Sequence, residues 1–404
     1  MFRSWMFTEM PYPYLPPEET YTSLRVDFPS RMYDPEAGYQ LYQTYFDLYQ
    51  AADELGLNVM LNEHHATATC VAPAVPLAMA VLARQTKNAR LLALGNPLAN
   101  RNTPVRIAEE MAFVDVLSHG RTEVGFVRGV PYEISAVNVH PVEMKERFWE
   151  SADLIIKAWT THDGPFNWEG RFYHHRQVNV WPRVYQEPHP PVWVPTQSAG
   201  TVRETAERQF NLGLILSGAE GAAKLFGTYR DRTADLGLPV PSREKLGYVG
   251  LVFVGETDAE GIAGAERLRW YLTHNKVAPQ FMDIPGYIDD HIRAKILKAA
   301  AGGTEITSPI EHLVTAPLQQ LVDGGYVFAG SPETVFEQLR SFYRRVGGFG
   351  QFIMMTQTGT MGYALVEKSM RLFATEVLPR FAAEVYEPDA EGFETGAPAA
   401  QLVS

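Results

Sequence analysis

Leu57-Asn58-Val59-Met60-Leu61-Asn62, followed at once by Glu63-His64-His65, reads as a short apolar strand that runs out into a carboxylate and two imidazoles. Imidazole titrates near neutral pH and passes protons, so a carboxylate beside it at the end of a strand makes an acid/base centre. Parallel sheets and barrels bind ligands at the carboxyl ends of their strands, which is where this triplet stands.

Working outward, apolar strands alternate with amphipathic helices. Ser4 to Glu9 is a first strand, and a helix follows in which Leu41, Tyr45, Leu48, Ala52 and Leu55 recur at spacings of four and three and which ends at Gly56. After the strand leading to Glu63 come Leu91 to Asn96 and a helix opened by Thr103-Pro104, where a capping hydroxyl precedes a proline whose missing amide costs nothing in a first turn. Thr122 to Val127 is the fourth strand, followed by a helix with Phe148, Ala152, Ile155 and Trp159. Pro191 to Gln197, Leu212 to Leu216, Gly247 to Val254 and Gln351 to Thr356 are strands five to eight. Eight strands alternating with helices predict an α/β protein, a (β/α)8 TIM barrel.

Such a barrel needs about 250 residues, and the chain has 404. The surplus is expected as long loop insertions in one domain spanning 1–387. They are a Pro- and Tyr-rich stretch at 10–36, an aromatic excursion with a short hairpin at 162–190, and the longest at 273–330. Residues 388–404 lose periodicity and read as a flexible tail.

Lys and Arg number 35 against 47 acidic residues, a balance of -12 that argues against nucleic acid or an anionic membrane as a partner. One cysteine, Cys70, permits no internal disulfide. No basic leader and no run of about 18 apolar residues is present, so a cytoplasmic protein is expected. A zinc site is not expected: adjacent histidines do not reproduce the His-Glu-x-x-His spacing, and Cys70 has no cysteine partner.

Several ordered motifs carry a resemblance. Glu63-His64-His65, Gly95-Asn96, Thr103 to Glu110, Leu117-Ser118-His119-Gly120-Arg121, Gly125-Phe126-Val127-Arg128-Gly129, Gln197-Ser198-Ala199-Gly200-Thr201 and Gly330-Ser331-Pro332-Glu333 together resemble the bacterial luciferase-like flavin-dependent monooxygenases. Each motif alone is weak, and their order gives them weight. The resemblance implies a barrel that binds reduced FMN, supplied by a separate NAD(P)H-dependent flavin reductase. It implies activation of dioxygen as a flavin hydroperoxide, to oxygenate a small apolar or aromatic substrate. A homodimer paired through barrel helices is implied as well.

By the same resemblance His64 is the catalytic acid or base, with Glu63 either orienting it or pairing within the barrel rim. Arg128, Gln197, Ser198 and Thr201 bind FMN, with Arg128 and the stretch from Ser198 to Thr201 on its phosphate, a role that suits hydroxyls and amides where a strand turns into a helix N-terminus. Gly95 and Asn96 lie against the isoalloxazine, where relatives often carry a non-prolyl cis peptide. Val127 stands where some relatives have a cysteine. Three alternatives stay open: a deazaflavin- or FMN-dependent dehydrogenase or reductase on the same barrel, a metal-dependent barrel hydrolase, and a flavin-binding protein without turnover. No Gly-x-Gly-x-x-Gly follows a strand, so no Rossmann site for a nicotinamide is expected.

Overall fold

In the computed structural model, which describes residues 1–288, 293–294, 297–298 and 313–387, the strands alternate with helices as the periodicity predicts. In chain order they are β1 (Arg3–Thr8), β2 (Asn58–Leu61), β3 (Leu91–Pro97), β4 (Thr122–Val127), β5 (Phe166–Glu169), β6 (His174–Val178), β7 (Val192–Pro195), β8 (Asn211–Ile215), β9 (Leu246–Val254), β10 (Val327–Gly330) and β11 (Gln351–Gln357). Parallel pairing runs β1-β2-β3-β4-β7-β8-β9-β11 and returns to β1, closing a (β/α)8 TIM barrel. The helices over its outer face include α1 (Pro35–Glu54), α2 (Val75–Gln85), α3 (Pro104–Leu117), α4 (Met144–Thr160), α5 (Ala199–Glu207), α6 (Gly218–Asp235) and α7 (Asp258–His274).

Local chemistry sets the element ends. Asp34 caps α1 by accepting the Glu36 amide at 2.9 Å, and Gly56 leaves the helix at φ +75°, a conformation that suits a residue without a Cβ. Leu41, Tyr45, Leu48 and Ala52 form its buried face, as the spacing predicts. Thr103 does occupy the cap position of α3, but its side chain makes no capping bond there, so the hydroxyl does not play the expected part.

The amino ends of the strands are plugged. Trp5 and Trp193 meet edge to face at 6.1 Å inside the barrel, and Gly247 leaves room for the second indole. Both indole N–H groups are used, Trp5 donating to Gln351 Oε1 at 2.8 Å and Trp193 to Glu123 Oε2 at 2.6 Å. Glu123 is fully buried and paired with Arg3 and Arg90. Indoles and a matched ion cluster fill this end, so the opposite end of the barrel is the one open to ligands.

The insertions have definite jobs. Within 162–190, β5 and β6 form the expected antiparallel hairpin. The Glu150 carboxylate of α4 holds it, accepting the amides of Arg171, Phe172 and Tyr173 and the Trp168 indole N–H. The 10–36 segment folds back over the mouth, where Arg25 pairs with Thr67 in an isolated bridge and Leu24 donates to the Lys276 carbonyl at 2.9 Å. In the 273–330 stretch the last residues form β10, a ninth strand that pairs with Leu251–Val254 of β9, beyond the half that β8 covers. The remainder of that stretch falls partly, and the 388–404 tail wholly, outside the described residues. No helix among the described residues is long and apolar enough to cross a membrane.

Candidate functional site

At the carboxyl ends of the strands lies a cavity of about 910 Å³. Its walls come from β1, β2, β3, β4, β7, β8 and β11, from the first turns of α4 and α5, and from the loops that follow β4 and α7. The predicted residues Glu63, His64, Gly95, Arg128, Gln197, Ser198 and Thr201 all line it. Asn96 does not: its side-chain amide donates to the Gly125 carbonyl at 3.2 Å, which turns it into the wall between β3 and β4. Gly95 is needed for the same packing, because a Cβ there would sit 2.8 Å from the Gly125 oxygen. The non-prolyl cis bond precedes this glycine, between Leu94 and Gly95.

The Glu-His-His triplet splits into two systems. Glu63 turns away from His64 and accepts from His65 Nε2 at 3.1 Å, the Val75 amide at 3.0 Å and Arg101. It thereby ties the end of β2 to the start of α2. Burial pushes the Glu63 carboxyl up, but the His65 hydrogen bond and the Arg101 charge outweigh it and hold the group below its usual range. The same hydrogen bond raises His65.

His64 takes its partner from elsewhere. Its Nδ1 lies 3.0 Å from Oε1 of Glu133, a buried residue in the loop after β4, and the His65 amide donates to the same oxygen at 2.9 Å. An ionised carboxylate only accepts, so against it Nδ1 is the donor, and in the neutral ring the lone pair is then at Nε2. That nitrogen has no hydrogen bond among the described residues; Glu9 Oε2 stands 4.0 Å away. Beneath this pair the Arg25 guanidinium lies over the Tyr132 ring at 4.4 Å, donates to its hydroxyl, and reaches Asn275 Oδ1 at 2.9 Å. Asn62 donates to Glu9 and receives the Cys70 thiol at 3.7 Å; burial pushes that thiol up, so it stays protonated.

Across the mouth the groups are cationic. The Arg128 guanidinium stacks on the Tyr287 ring at 4.2 Å and has no acidic partner among the described residues. Arg203 and Lys145 join it in the wall, Lys145 at 3.3 Å from Glu204. Ser198 sits at the N-cap of α5 with its hydroxyl unused for capping. Gln197 spends its side-chain N–H on the Ile215 carbonyl at 2.7 Å. A guanidinium without an acidic partner and a hydroxyl without a hydrogen bond among the described residues, with the amides of a helix start, suit a phosphate, and the apolar wall of Leu94, Val127 and Val194 suits a flat ring.

The profile described as luciferase-like monooxygenase matches residues 28–348. The chain belongs to that family. Among its relatives, the oxygenase component of the flavin-dependent trigonelline monooxygenase of Acinetobacter baylyi is 29% identical over 205 residues, 49% of this chain and 56% of that protein. The match thus spans little more than half of that relative's length. The monooxygenase RslO1 from Streptomyces bottropensis has a similar fold, with a TM-score of 0.71 at 22% identity, over 94% of this chain and 100% of that one. So does the oxygenating constituent of 3,6-diketocamphane monooxygenase from Pseudomonas putida, solved in complex with FMN, with a TM-score of 0.68 at 21% identity over 94% and 98%. A coenzyme F420-dependent tetrahydromethanopterin reductase from Methanopyrus kandleri follows at 0.63 and 14%, over 94% and 99%.

In this luciferase-like mouth sequence reasoning misses Glu9, Glu133, Lys145 and Arg203, and beneath it Arg25. Glu9 carries a signal, since it ends the first strand on the ligand-binding face. Glu133 is separated from His64 by 69 positions, and only the closed barrel brings them together.

The Glu63–His65 pair makes stability pH-dependent. The His65 contribution is complete below about pH 6.5 and fades as pH rises through its raised value, whereas that of Glu63 is complete above about pH 4.3 and fades as pH falls through its lowered value. His65→Gln is therefore expected to flatten the loss of thermal stability that the native protein shows above about pH 6.5. An equal slope in both proteins, followed by circular dichroism melts, would count against the pairing.

Proposed function

We propose that this protein is an FMN-dependent monooxygenase that takes reduced flavin from a separate NAD(P)H-dependent reductase and oxygenates a small, mostly apolar or aromatic molecule in the cytoplasm. The observation that carries this reading is one cavity with, among the described residues, a guanidinium without an acidic partner and hydroxyls without a hydrogen bond on one side and a carboxylate-anchored imidazole on the other. Reduced FMN, when bound, supplies the electron pair that activates dioxygen.

The chain's own residues have separable tasks. Arg128, Ser198, Thr201 and the amides that open α5 hold the phosphate, Gln197 offers its carbonyl oxygen beside them, and Gly95 leaves the ring room against β3. Asn96 serves from behind, by keeping β3 on β4. His64 holds or moves a proton at Nε2, and Glu133 fixes the tautomer through Nδ1. Glu63 positions the triplet without touching the reacting side. Phe7, Met60, Leu216 and Met355 exclude water, which favours oxygen insertion over release of peroxide.

A deazaflavin-dependent dehydrogenase is the second reading, and the fold shared with an F420-dependent reductase supports it. Titration with both cofactors separates the two. Among the described residues no group of three or more His, Cys, Asp or Glu side chains is placed to hold a metal ion. A homodimer is supported by Leu77, Val81, Phe113 and Val116, apolar side chains exposed on α2 and α3, with Trp181 beside them.

Replacing Arg128 by alanine is expected to weaken FMN binding by about 10- to 100-fold, the worth of a charge-assisted contact; an unchanged titration would remove Arg128 from the phosphate site. Oxygen mixed with the reduced, FMN-loaded His64→Ala protein and a substrate of the native enzyme should give about 10²-fold less product or lower still, with hydrogen peroxide in its place. Retention of the native product yield would end the role given to His64. Sedimentation of the native protein should report a dimer that Phe113→Glu splits, and a native monomer would refute the pairing.

A further inference from the structure

Three carboxylates reach the luciferase-like mouth, and two are fully engaged. Glu63 is tied to His65, Val75 and Arg101, and Glu133 to His64 and the His65 amide. Glu9 differs. The residue is only 8% exposed and lines the cavity. Its Oε2 accepts the Asn62 amide and lies too far from His64 Nε2 for a hydrogen bond, at 4.0 Å. Oε1 has no donor among the described residues and is left open to the cavity.

A carboxylate at this depth calls for a counter-charge or more donors. The buried guanidinium of Arg25 is near enough for its charge and that of Glu9 to favour each other, but its hydrogen bonds go to Tyr132 and Asn275, so it gives Oε1 no donor. Arg128 and Arg203, the cations of the mouth with no acidic partner among the described residues, stand after β4 and on α5 after β7, with β2 and β3 between β4 and the strand that Glu9 follows. Phe7 and Tyr271 line the same cavity, and Tyr271 is close enough that the Glu9 charge adds to the burial that keeps its hydroxyl protonated. A carboxylate oxygen open to a cavity that aromatic side chains also line is the chemistry that recognises an organic cation.

We propose that Glu9 anchors a positively charged nitrogen on the substrate, so that the molecule oxygenated here is a small aromatic ammonium compound and not a neutral hydrocarbon. The inference rests on the oxygenase reading of the same cavity. Charge on the substrate is thereby matched at the β1 side, away from the phosphate-holding cations.

The test is calorimetric titration of the FMN-loaded protein with benzylammonium, benzyl alcohol and benzoate, which share a ring and differ in charge. Benzylammonium should bind about tenfold or more tightly than benzyl alcohol, and benzoate more weakly than both. Glu9→Gln, which keeps the size and an oxygen for Asn62, should bring the ammonium-to-alcohol ratio close to one. Equal or tighter binding of the alcohol or of benzoate, no benzylammonium binding, or a preference that survives in Glu9→Gln overturns the proposal. If the variant does not fold, the native ranking decides alone. FMN affinity is measured first: its absence overturns the flavin reading, and the ranking repeated without FMN still reports on Glu9.

Discussion

Closure of the parallel sheet is the constraint on which the rest depends. Once β1 pairs with both β2 and β11, all eight staves point their carboxyl ends the same way, and backbone groups that would be an exposed edge are paired. The Trp5–Trp193 contact and the buried Glu123 cluster then fill the opposite end. Polar side chains that end strands have one common space to enter. Without closure Glu133 and His64 would belong to separate loops, and the imidazole would lack a fixed tautomer.

Neighbours in sequence and neighbours in space divide the carboxylates. A residue adjacent along an extended chain points to the opposite side, so Glu63 is badly placed to serve His64 and well placed to serve His65, two residues on. The carboxylate that does serve His64 arrives from the loop after β4. Having two such groups separates stiffness from chemistry: Glu63 secures the backbone between β2 and α2, while Glu133 secures a ring.

What the sequence reveals follows from how local each cause is. Strand positions are legible to within a residue or so because short apolar runs bounded by turn formers are local facts, and α1 is legible from its spacing and from Gly56. The α2 helix is hidden because its Pro- and Ala-rich segment lacks a clear polar face, and β10 because four residues of strand look like loop until β9 is there to pair with them. At the site, strand-end residues such as His64, Arg128 and Ser198 are readable through the rule that barrels bind at one face. Asn96 misleads because alternation along β3 is broken where its register with β4 shifts: Leu94 and Gly95 both line the cavity, and the next side chain turns to the Gly125 carbonyl in the wall. Glu133, Lys145 and Arg203 depend on which loops and helices lean over the mouth, and no local pattern states that.

The stack of Arg128 on Tyr287 has a consequence of its own. Tyr287 is itself pinned, donating its hydroxyl to the Gly129 carbonyl at 2.7 Å. A guanidinium resting on a fixed ring has already surrendered most of its rotamer freedom before any anion arrives, so little further entropy is lost on capture. The aromatic face leaves the in-plane N–H fork free, which is the edge that bidentate contacts use. Preorganisation of this kind raises affinity chiefly by lowering the ordering cost of association, and it needs no additional contact.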